Sequence, residues 1–373
     1  MIPDRMTAVV LTGHGGLDRL ELRHDVPVPE PAADEVLIRV AAAGINNTDI
    51  NTRIGWYNKD VTGGTTAEGG EAGMGVSEAG MGDWTGGLAF PRIQGADCVG
   101  RIVAVGSAVD TARIGERVLC NPYYADADDP DGLATAGFLG AERDGAFAQF
   151  TAMPARNVFA LPEDLAVGDV DLATLPCSGG TAMNMLTVAG ATQGDLTLVT
   201  GASGGVGSYL VQILRALGAE VVAVSGPSKA DQVRGLGADH VVDRGAPDLA
   251  AAVQAATGGR AVTLAADVVG GDGFGTCLAL LDRGGRYVTA GAIAGPMVTL
   301  DMRTLYLKDL SLFGSTVFRK GSFARLLELV RAGKVRPFAA KTWPLAEIRE
   351  AQTAFLEKSH VGSLVLIPPE PSA

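Results

Sequence analysis

The sequence predicts an α/β protein in which a β-rich region precedes a doubly wound parallel sheet. Short β-branched runs separated by Gly, Pro and Asp turns fill about the first 160 residues. From residue 171 to 315, apolar strands alternate with helical patterns, which is typical of a parallel sheet covered by helices on both faces. A glycine-rich run, residues 201–207, lies between the first of these strands and the first helix.

The β-rich region contains four runs that predict strands between turn residues. They are residues 6–10, 35–40, 100–105 and 117–120.

One segment of this region, residues 62–87, is rich in glycine and poor in aliphatic residues. Such a composition predicts a flexible loop with little structure of its own. It is either a tolerated surface insertion, the interpretation that we favour, or a lid over a reaction site, since it joins Tyr57 to Gln94. As a lid, it would cover a substrate with its sizeable apolar groups, Met74, Met81 and Trp84.

A nucleotide-binding unit is predicted from residue 196 to 225. Residues 196–200 predict a buried strand, residues 206–217 an amphipathic helix and residues 221–225 the next strand. Such a βαβ unit holds a pyrophosphate at the helix N-terminus, where glycines let backbone N–H groups approach it. Ala202 replaces the first glycine of the G-x-G-x-x-G pattern, and the alternative is a tight turn that binds no ligand.

The second strand of this unit indicates which nucleotide binds. It ends on Ser225, where an NAD enzyme would carry Asp or Glu for the ribose hydroxyl. A neutral hydroxyl there, with Ser228 and Lys229 close behind, suits the 2′-phosphate of NADP. The sequence therefore predicts NADP(H) as the cofactor.

The remaining elements follow the same alternation. Strands are predicted at residues 240–243, 262–269, 286–290 and 310–313, and a helix at residues 274–281. Beyond the sheet, two amphipathic helices and a last strand are predicted at residues 323–330, 345–357 and 361–367. We expect this tail to pack back on the N-terminal region.

Composition restricts the partners and the compartment. The net charge is 30 − 42 = −12 without a basic block, which argues against nucleic acid and anionic membranes. No apolar run reaches the ~18 residues of a membrane span, and the N-terminus lacks the apolar region of a signal peptide. The four cysteines are far apart, as in proteins of a reducing compartment. We expect a soluble cytoplasmic protein with a small-molecule substrate.

The sequence resembles the medium-chain dehydrogenase/reductases over nearly its whole length. The motifs that carry the resemblance are residues 43–49, 94–100, 115–118, 201–207, 345–351 and 362–366. The resemblance implies a GroES-like catalytic domain formed by residues 1–170 and 316–373, with the insertion at about 62–87. It also implies a Rossmann NADP-binding domain at residues 171–315, and a homodimer or homotetramer assembled through the edge of the Rossmann sheets.

Zinc alcohol dehydrogenases of this family hold a catalytic metal with Cys, His and Cys. This sequence has Asn46 and Ala96 at the first two positions, and only Cys177 matches the third. One thiol cannot hold a tetrahedral catalytic zinc, and residues 121–149 lack the cysteines of a structural zinc lobe. We therefore predict no metal, and we interpret Cys177 as a small buried residue rather than a reactive one.

Without a Lewis acid, alcohol oxidation loses its electrostatic stabiliser, whereas hydride addition to a conjugated double bond delocalises charge into an enolate. The sequence resembles the zinc-free branch, quinone oxidoreductases and enoyl reductases, which implies hydride transfer from NADPH to a quinone or an α,β-unsaturated carbonyl. Two alternatives remain: an enoyl-CoA reductase similar to crotonyl-CoA carboxylase/reductases, and a non-catalytic NADPH-binding protein similar to the crystallin relatives.

The resemblance also implies roles for individual residues. Asn46 either donates to a substrate oxygen or is only a turn residue, Tyr57 donates a proton or orients the substrate, and Thr48 supplies a proton-relay hydroxyl. The residues expected to bind the cofactor are Thr181, Ala202, Ser203, Gly204, Gly205, Val206, Gly207, Ser225, Ser228, Lys229, Val269, Gly291, Ala292, Phe313, Gly314 and Ser315.

Overall fold

The fold is taken from a computed structural model that describes residues 2–75, 88–129 and 132–371. Two residues of the predicted lid, Met81 and Trp84, lie outside the described residues.

The N-terminal region is β-rich, as predicted. Its strands are β1 Arg5–Leu11, β2 Leu20–Pro27, β3 Glu35–Ile45, β4 Arg92–Ile93, β5 Val99–Val105, β6 Arg117–Cys120, β7 Tyr123–Tyr124, β8 Gly137–Phe138, β9 Phe150–Pro154 and β10 Val158–Ala160. Its helices are α1 Asn47–Ile54, α2 Ala67–Ala72 and α3 Asp169–Leu172. The long strand β3 is central, because it pairs antiparallel with both β5 and β9.

A helix, α4 Pro176–Val188, leads into a six-stranded sheet whose neighbours all run parallel. The strands are β11 Leu196–Val199, β12 Glu220–Ser225, β13 His240–Asp243, β14 Val262–Asp267, β15 Leu281–Thr289 and β16 Ser311–Gly314. The helices are α5 Gly205–Leu217, α6 Ala230–Gly235, α7 Leu249–Ala256, α8 Gly273–Leu280 and α9 Met302–Leu307. The order β13-β12-β11-β14-β15-β16 is that of a doubly wound dinucleotide-binding sheet, which confirms the predicted fold class.

The tail returns to the N-terminal region, as the sequence predicts. It contains α10 Ser322–Arg331, β17 Ala339–Pro344, α11 Ile348–Leu356 and β18 Ser363–Ile367. Strand β18 pairs antiparallel with β3, so residues from both ends of the chain share one sheet. The domain limits given above stay a prediction.

Two of the elements that differ from the sequence-based prediction have a clear physical reason. Strand β14 ends at Asp267 rather than at Val269, because the Asp267 carboxylate accepts the backbone N–H groups of Val269 and Gly270 and turns the chain. The strand β2 went unpredicted because most of its residues are exposed and several are charged, so it lacks the apolar alternation of a buried strand.

The described part of the glycine-rich segment, residues 62–75, packs against the rest of the protein through the buried Arg53. The Arg53 guanidinium donates from Nη2 to the Gly70 carbonyl at 2.6 Å and from Nη1 to the Gly15 carbonyl at 2.9 Å. Its Nε donates to Oε1 of Gln352 on α11 at 3.0 Å. One side chain therefore joins the N-terminal loop, the helix α2 and the tail.

None of the helices in the described parts of the chain combines the length and hydropathy that crossing a bilayer requires. The cytoplasmic location stays a prediction.

We expect Arg53→Met to lower the free energy of unfolding by about 2–5 kcal/mol, because it leaves buried acceptors without a donor. Arg53→Lys cannot reach all three acceptors and is expected to lose most of the same free energy. Urea denaturation measures both, with Arg23→Met as the control, since the Arg23–Glu21 ion pair is exposed. A loss for Arg53→Met no larger than for Arg23→Met would contradict this account.

Candidate active site

The turn that follows β11 has the geometry of a dinucleotide site. Helix α5 begins at Gly205, so its unpaired N–H groups face the ends of the parallel strands. A Cβ at Gly207 would lie 2.1 Å from the Gly201 carbonyl oxygen, so only glycine lets the helix approach the turn this closely. The residues fit the pyrophosphate of a nicotinamide dinucleotide, although the first glycine is replaced by Ala202.

Cationic side chains gather where the second strand ends. Ser225 is buried at the end of β12, and its carbonyl accepts the backbone N–H of Arg244 at 2.9 Å. Burial, and then the charge of Arg244, lower the pKa of Lys229. Ser228 is exposed beside them. Two cations and a hydroxyl thus lie together at the position where the 2′-phosphate of NADP would bind.

A loop of the tail, residues 357–362, closes over the same region. The Gly362 N–H donates to the Ser203 carbonyl at 3.0 Å, and the Lys229 ammonium donates to the Lys358 carbonyl. The Lys358 ammonium donates to Asn47 Oδ1 at 2.9 Å, and burial together with the Lys229 charge lowers the pKa of Lys358 to about 7. The tail therefore adds a third cation to the nucleotide turn.

The predicted cofactor residues Val269, Gly291, Ala292 and Ser315 lie just past the carboxyl ends of β14, β15 and β16, whereas Phe313 and Gly314 end β16 and Thr181 lies on α4. By their resemblance to relatives, Thr181, Gly291, Ala292 and residues 313–315 are the ones expected beside the nicotinamide. The Ala294 N–H donates to the Val269 carbonyl at 2.9 Å, which brings the loop after β15, with Gly291 and Ala292, against the loop after β14. Beyond β16, Ser315 is buried and its hydroxyl accepts from Asn184 on α4 at 2.8 Å.

The carboxylate of Asp97 joins the residue before α1 to the start of α4. We call the region between these residues and the strand ends the cleft. The Asp97 carboxylate accepts the Cys177 backbone N–H at 2.6 Å and the Asn46 amide at 2.8 Å. The Asn46 oxygen accepts the Ser178 hydroxyl at 3.0 Å. Asn46 is thus buried between the end of β3 and the start of α1, so both of its predicted roles stay open. Its amide carries a second N–H, which is the donor that its predicted catalytic role requires.

Two buried carboxyl groups flank Asn46. Asp49 accepts the Asn46 backbone N–H at 2.8 Å, and burial raises the pKa of Asp49 to about 7. Burial likewise raises the pKa of Asp97 to about 7. Both side chains serve as acceptors for neighbouring N–H groups.

The hydroxyl groups of Tyr57 and Thr48 meet beside this network. The Tyr57 hydroxyl donates to Thr48 Oγ1 at 3.4 Å. Burial raises the pKa of Tyr57, so its phenol keeps the proton at neutral pH. Burial also raises the pKa of the nearby Cys177 thiol well above its ordinary value, which makes the thiol a poor nucleophile.

The predicted catalytic residues therefore lie together, and the predicted cofactor residues follow the strand ends, but their roles stay predictions. Sequence reasoning missed Arg244, Lys358, Asn51 and Thr65. Arg244 carried a usable signal, because it directly follows the strand next to β12. Lys358 lies more than 120 residues from Lys229, so only the fold brings the two together.

Comparisons with known proteins match both halves of the chain. The family model described as the alcohol dehydrogenase GroES-like domain matches residues 32–163, and that of the zinc-binding dehydrogenase matches residues 205–332. The crystal structure of a candidate alcohol dehydrogenase from Sinorhizobium meliloti 1021 is 47% identical, with a TM-score of 0.89, and the match covers 99% of this chain and 98% of that one.

Two curated relatives come from Sulfurisphaera tokodaii. An acryloyl-coenzyme A reductase is 28% identical, and the match covers 97% of this chain and 100% of that protein. An NAD-dependent alcohol dehydrogenase is 27% identical over 92% of this chain and 95% of its own length.

The second family model is named for zinc, so we compared the side chains of this cleft with the ligands that a zinc site requires. Within residues 2–75, 88–129 and 132–371, no three His, Cys, Asp or Glu side chains group in a way that could hold a metal ion. Asn46 and Asp97 are hydrogen-bonded to each other, and the side chain of Ala96 has no atom that could bind a metal. These residues do not fit a catalytic zinc.

Proposed function

The chain belongs to the medium-chain dehydrogenase/reductase superfamily, and we propose that it is a zinc-independent, NADPH-dependent reductase of quinones or α,β-unsaturated carbonyl compounds. The observation that carries the proposal is the hydrogen bond between a protonated Tyr57 and Thr48. Beside them, Asn46, which stands where zinc alcohol dehydrogenases carry a metal ligand, is hydrogen-bonded to Asp97. Hydroxyl and amide donors can stabilise an enolate oxygen without a metal.

Bound NADPH would supply a hydride to the β-carbon of the conjugated system. The residues of the chain then have two tasks at the carbonyl end. Tyr57, whose pKa burial raises, holds a proton that can be given to the developing enolate, and Thr48 accepts from Tyr57 and orients it. The second N–H of the Asn46 amide can bind the same oxygen.

The cationic cluster of Lys229, Arg244 and Lys358 supports NADPH over NADH. The charges repel one another, and a phosphate bound among them would relieve that repulsion. The NAD-dependent relative shows that the superfamily also uses the other cofactor, so the preference depends on these residues of this chain.

An enoyl-CoA substrate is the second candidate. The specific observation in its favour is the acryloyl-coenzyme A reductase that matches the chain over its whole length. An enoyl-CoA thioester is itself an α,β-unsaturated carbonyl compound, so the chemistry at Tyr57 would be the same. Steady-state NADPH oxidation with enones, quinones and enoyl-CoA thioesters separates the two candidates and also the non-catalytic alternative.

Assembly as a homo-oligomer through the Rossmann sheet is part of the proposal. Strand β16 ends the order of the parallel sheet, and the segment before it exposes several large apolar side chains. Met297, Met302, Tyr306 and Leu307 are all at least 58% exposed. An exposed apolar patch of this kind at a sheet edge suits contact with a second copy of the chain.

We expect NADPH to bind more tightly than NADH by about 2 kcal/mol or more, the scale of a few charge-assisted hydrogen bonds. Arg244→Ala and Lys229→Ala are each expected to weaken NADPH binding by about tenfold and to leave NADH binding unchanged. Fluorescence titration of both cofactors measures this, with the exposed Lys334→Ala as the control. Equal affinities of the unsubstituted protein for the two cofactors would overturn the assignment.

We expect the affinity for NADPH to fall by about tenfold between about pH 7 and pH 8.5. The free protein loses the Lys358 proton near pH 7, whereas bound phosphate keeps the ammonium charged to higher pH. The cofactor phosphate stays fully ionised over this range, since its second pKa is about 6. His360 stays neutral there, because burial lowers the pKa of His360 to about 4.

In Lys358→Met, NADPH is expected to bind more weakly and without this pH dependence, whereas Lys334→Met is expected to keep it. If the affinity for NADPH falls with pH as steeply in Lys358→Met as in the unsubstituted protein, the titration belongs to another group.

We expect Tyr57→Phe to lower kcat with the best enone by about 100-fold, because it removes the proton donor, and to leave the affinity for NADPH unchanged. Tyr124→Phe, at a half-buried tyrosine that lies under Arg143 and away from this site, is the matched control. Metal analysis and chelator treatment accompany the assay. Unchanged turnover in Tyr57→Phe, or one zinc per chain whose removal abolishes turnover, would refute the mechanism.

A further inference from the structure

Two residues of the glycine-rich segment, Gly64 and Thr65, lie directly against the loop that follows β15. The Thr65 N–H donates to the Ile293 carbonyl at 2.9 Å. A Cβ at Gly64 would lie 2.5 Å from the Ile293 oxygen and 2.8 Å from the Ala294 carbonyl carbon, so the backbones approach as closely as glycine allows. We call this pairing the strap contact. It joins the N-terminal region to the loop that carries the predicted nicotinamide residues Gly291 and Ala292.

The side chain of Thr65 points in the opposite direction, into the N-terminal region. Its hydroxyl donates to Asn51 Oδ1 at 2.9 Å, and Asn51 is buried on α1. The Asn51 side chain also lies near Tyr57, where it lowers the pKa of the phenol. This direction indicates that the Asn51 amide N–H faces the phenol oxygen, because a donated hydrogen bond favours the ionised form.

A continuous set of contacts therefore runs from the cofactor loop to the proposed proton donor. It passes from the Ile293 carbonyl through Thr65 and Asn51 to Tyr57, and Tyr57 donates to Thr48. The segment that composition predicts to be a tolerated insertion thus contributes, through a single residue, to both sides of the cleft.

We propose that Thr65 is a positioning residue for the reaction, whose N–H holds the cofactor loop while its hydroxyl holds Asn51 so that Asn51 orients Tyr57. This rests on the proposed function of Tyr57. Ordering of the cofactor loop and alignment of the proton donor then become one event, because both depend on the same residue. Productive turnover follows only when the strap contact is made.

The substitution Thr65→Val tests this, because it removes the hydroxyl but keeps the volume and the backbone N–H. We expect kcat to fall by about tenfold while the NADPH dissociation constant stays within about twofold, and Thr65→Ser to restore kcat. Thr66→Val is the structural control: Thr66 Oγ1 accepts the Gly69 N–H at the start of α2, so its loss affects stability but not Tyr57. Equal losses of kcat in Thr65→Val and Thr66→Val would overturn the proposal.

A double-mutant cycle with Tyr57→Phe isolates the positioning role. If Thr65 acts through Tyr57, Thr65→Val costs little further activity in the Tyr57→Phe background. The same tenfold loss in both backgrounds would reduce Thr65 to a structural residue. If Tyr57→Phe keeps the full kcat, the proposed function is wrong. If Tyr57→Phe lowers kcat but Thr65→Val does not, only the present inference is wrong.

A spectroscopic readout makes the test independent of turnover. Burial raises the pKa of Tyr57, the hydrogen bond with Thr48 and then the contact with Asn51 lower it, and Cys177 and Asp49 raise it further. Tyr123 on β7 also lies near the phenol. In protein labelled with 3-fluorotyrosine, Thr65→Val is therefore expected to move the ¹⁹F titration of Tyr57, and the basic limb of the kcat profile, to higher pH. An unmoved titration would contradict the proposal.

The glycines provide a matched pair for the backbone half of the strap contact. Gly64→Ala is expected to push the segment away from Ile293 and to lower kcat about as much as Thr65→Val does. A Cβ at Gly63 meets no atom within 4 Å, so Gly63→Ala is expected to keep kcat within about twofold. Equal activity in the two alanine variants would show that the close approach has no role in turnover.

Discussion

The active-site arrangement depends on the buried carboxyl group of Asp97. A buried carboxylate is tolerated only when donors satisfy it, and here they come from the start of α4 and from the residue that precedes α1. The bonds therefore hold three distant segments of the chain at fixed distances from one another. Because α4 leads into the parallel sheet, these hydrogen bonds also determine where the carboxyl ends of the parallel strands lie relative to Tyr57 and Thr48.

The opposite electrostatic situation occurs at the nucleotide turn, where the fold keeps like charges together. The charge of Arg244 lowers the pKa of Lys229, and that of Lys229 lowers the pKa of Lys358, in each case in addition to burial. Such a partly buried cluster of like charges is unfavourable until an anion binds. This pattern is typical of a binding site, whereas an arrangement selected for stability would pair the cations with carboxylates.

The glycine-rich segment shows why composition alone underestimates an insertion. Because it contains few aliphatic residues, its composition predicts little structure of its own. The part from residue 62 to 75 is held by other means: Arg53 reaches the Gly70 carbonyl from α1, and Thr65 bonds to both Ile293 and Asn51. These contacts involve backbone carbonyls and small polar groups, which leave no hydrophobic pattern in the sequence.

The sequence by itself determined the order of the elements, the parallel sheet and the dinucleotide turn, because these depend on local periodicity and on glycines at short spacing. It also placed Tyr57, Thr48 and Asn46 near one another, since all three lie within about twelve residues around α1. The hydrogen bond from Asn46 to Asp97, the approach of Lys358 to Lys229, and the hydrogen bond from Thr65 to Ile293 were decided only by the tertiary structure. Each joins residues about fifty to more than two hundred positions apart, and such proximity results from how the sheets pack rather than from any local preference of the chain.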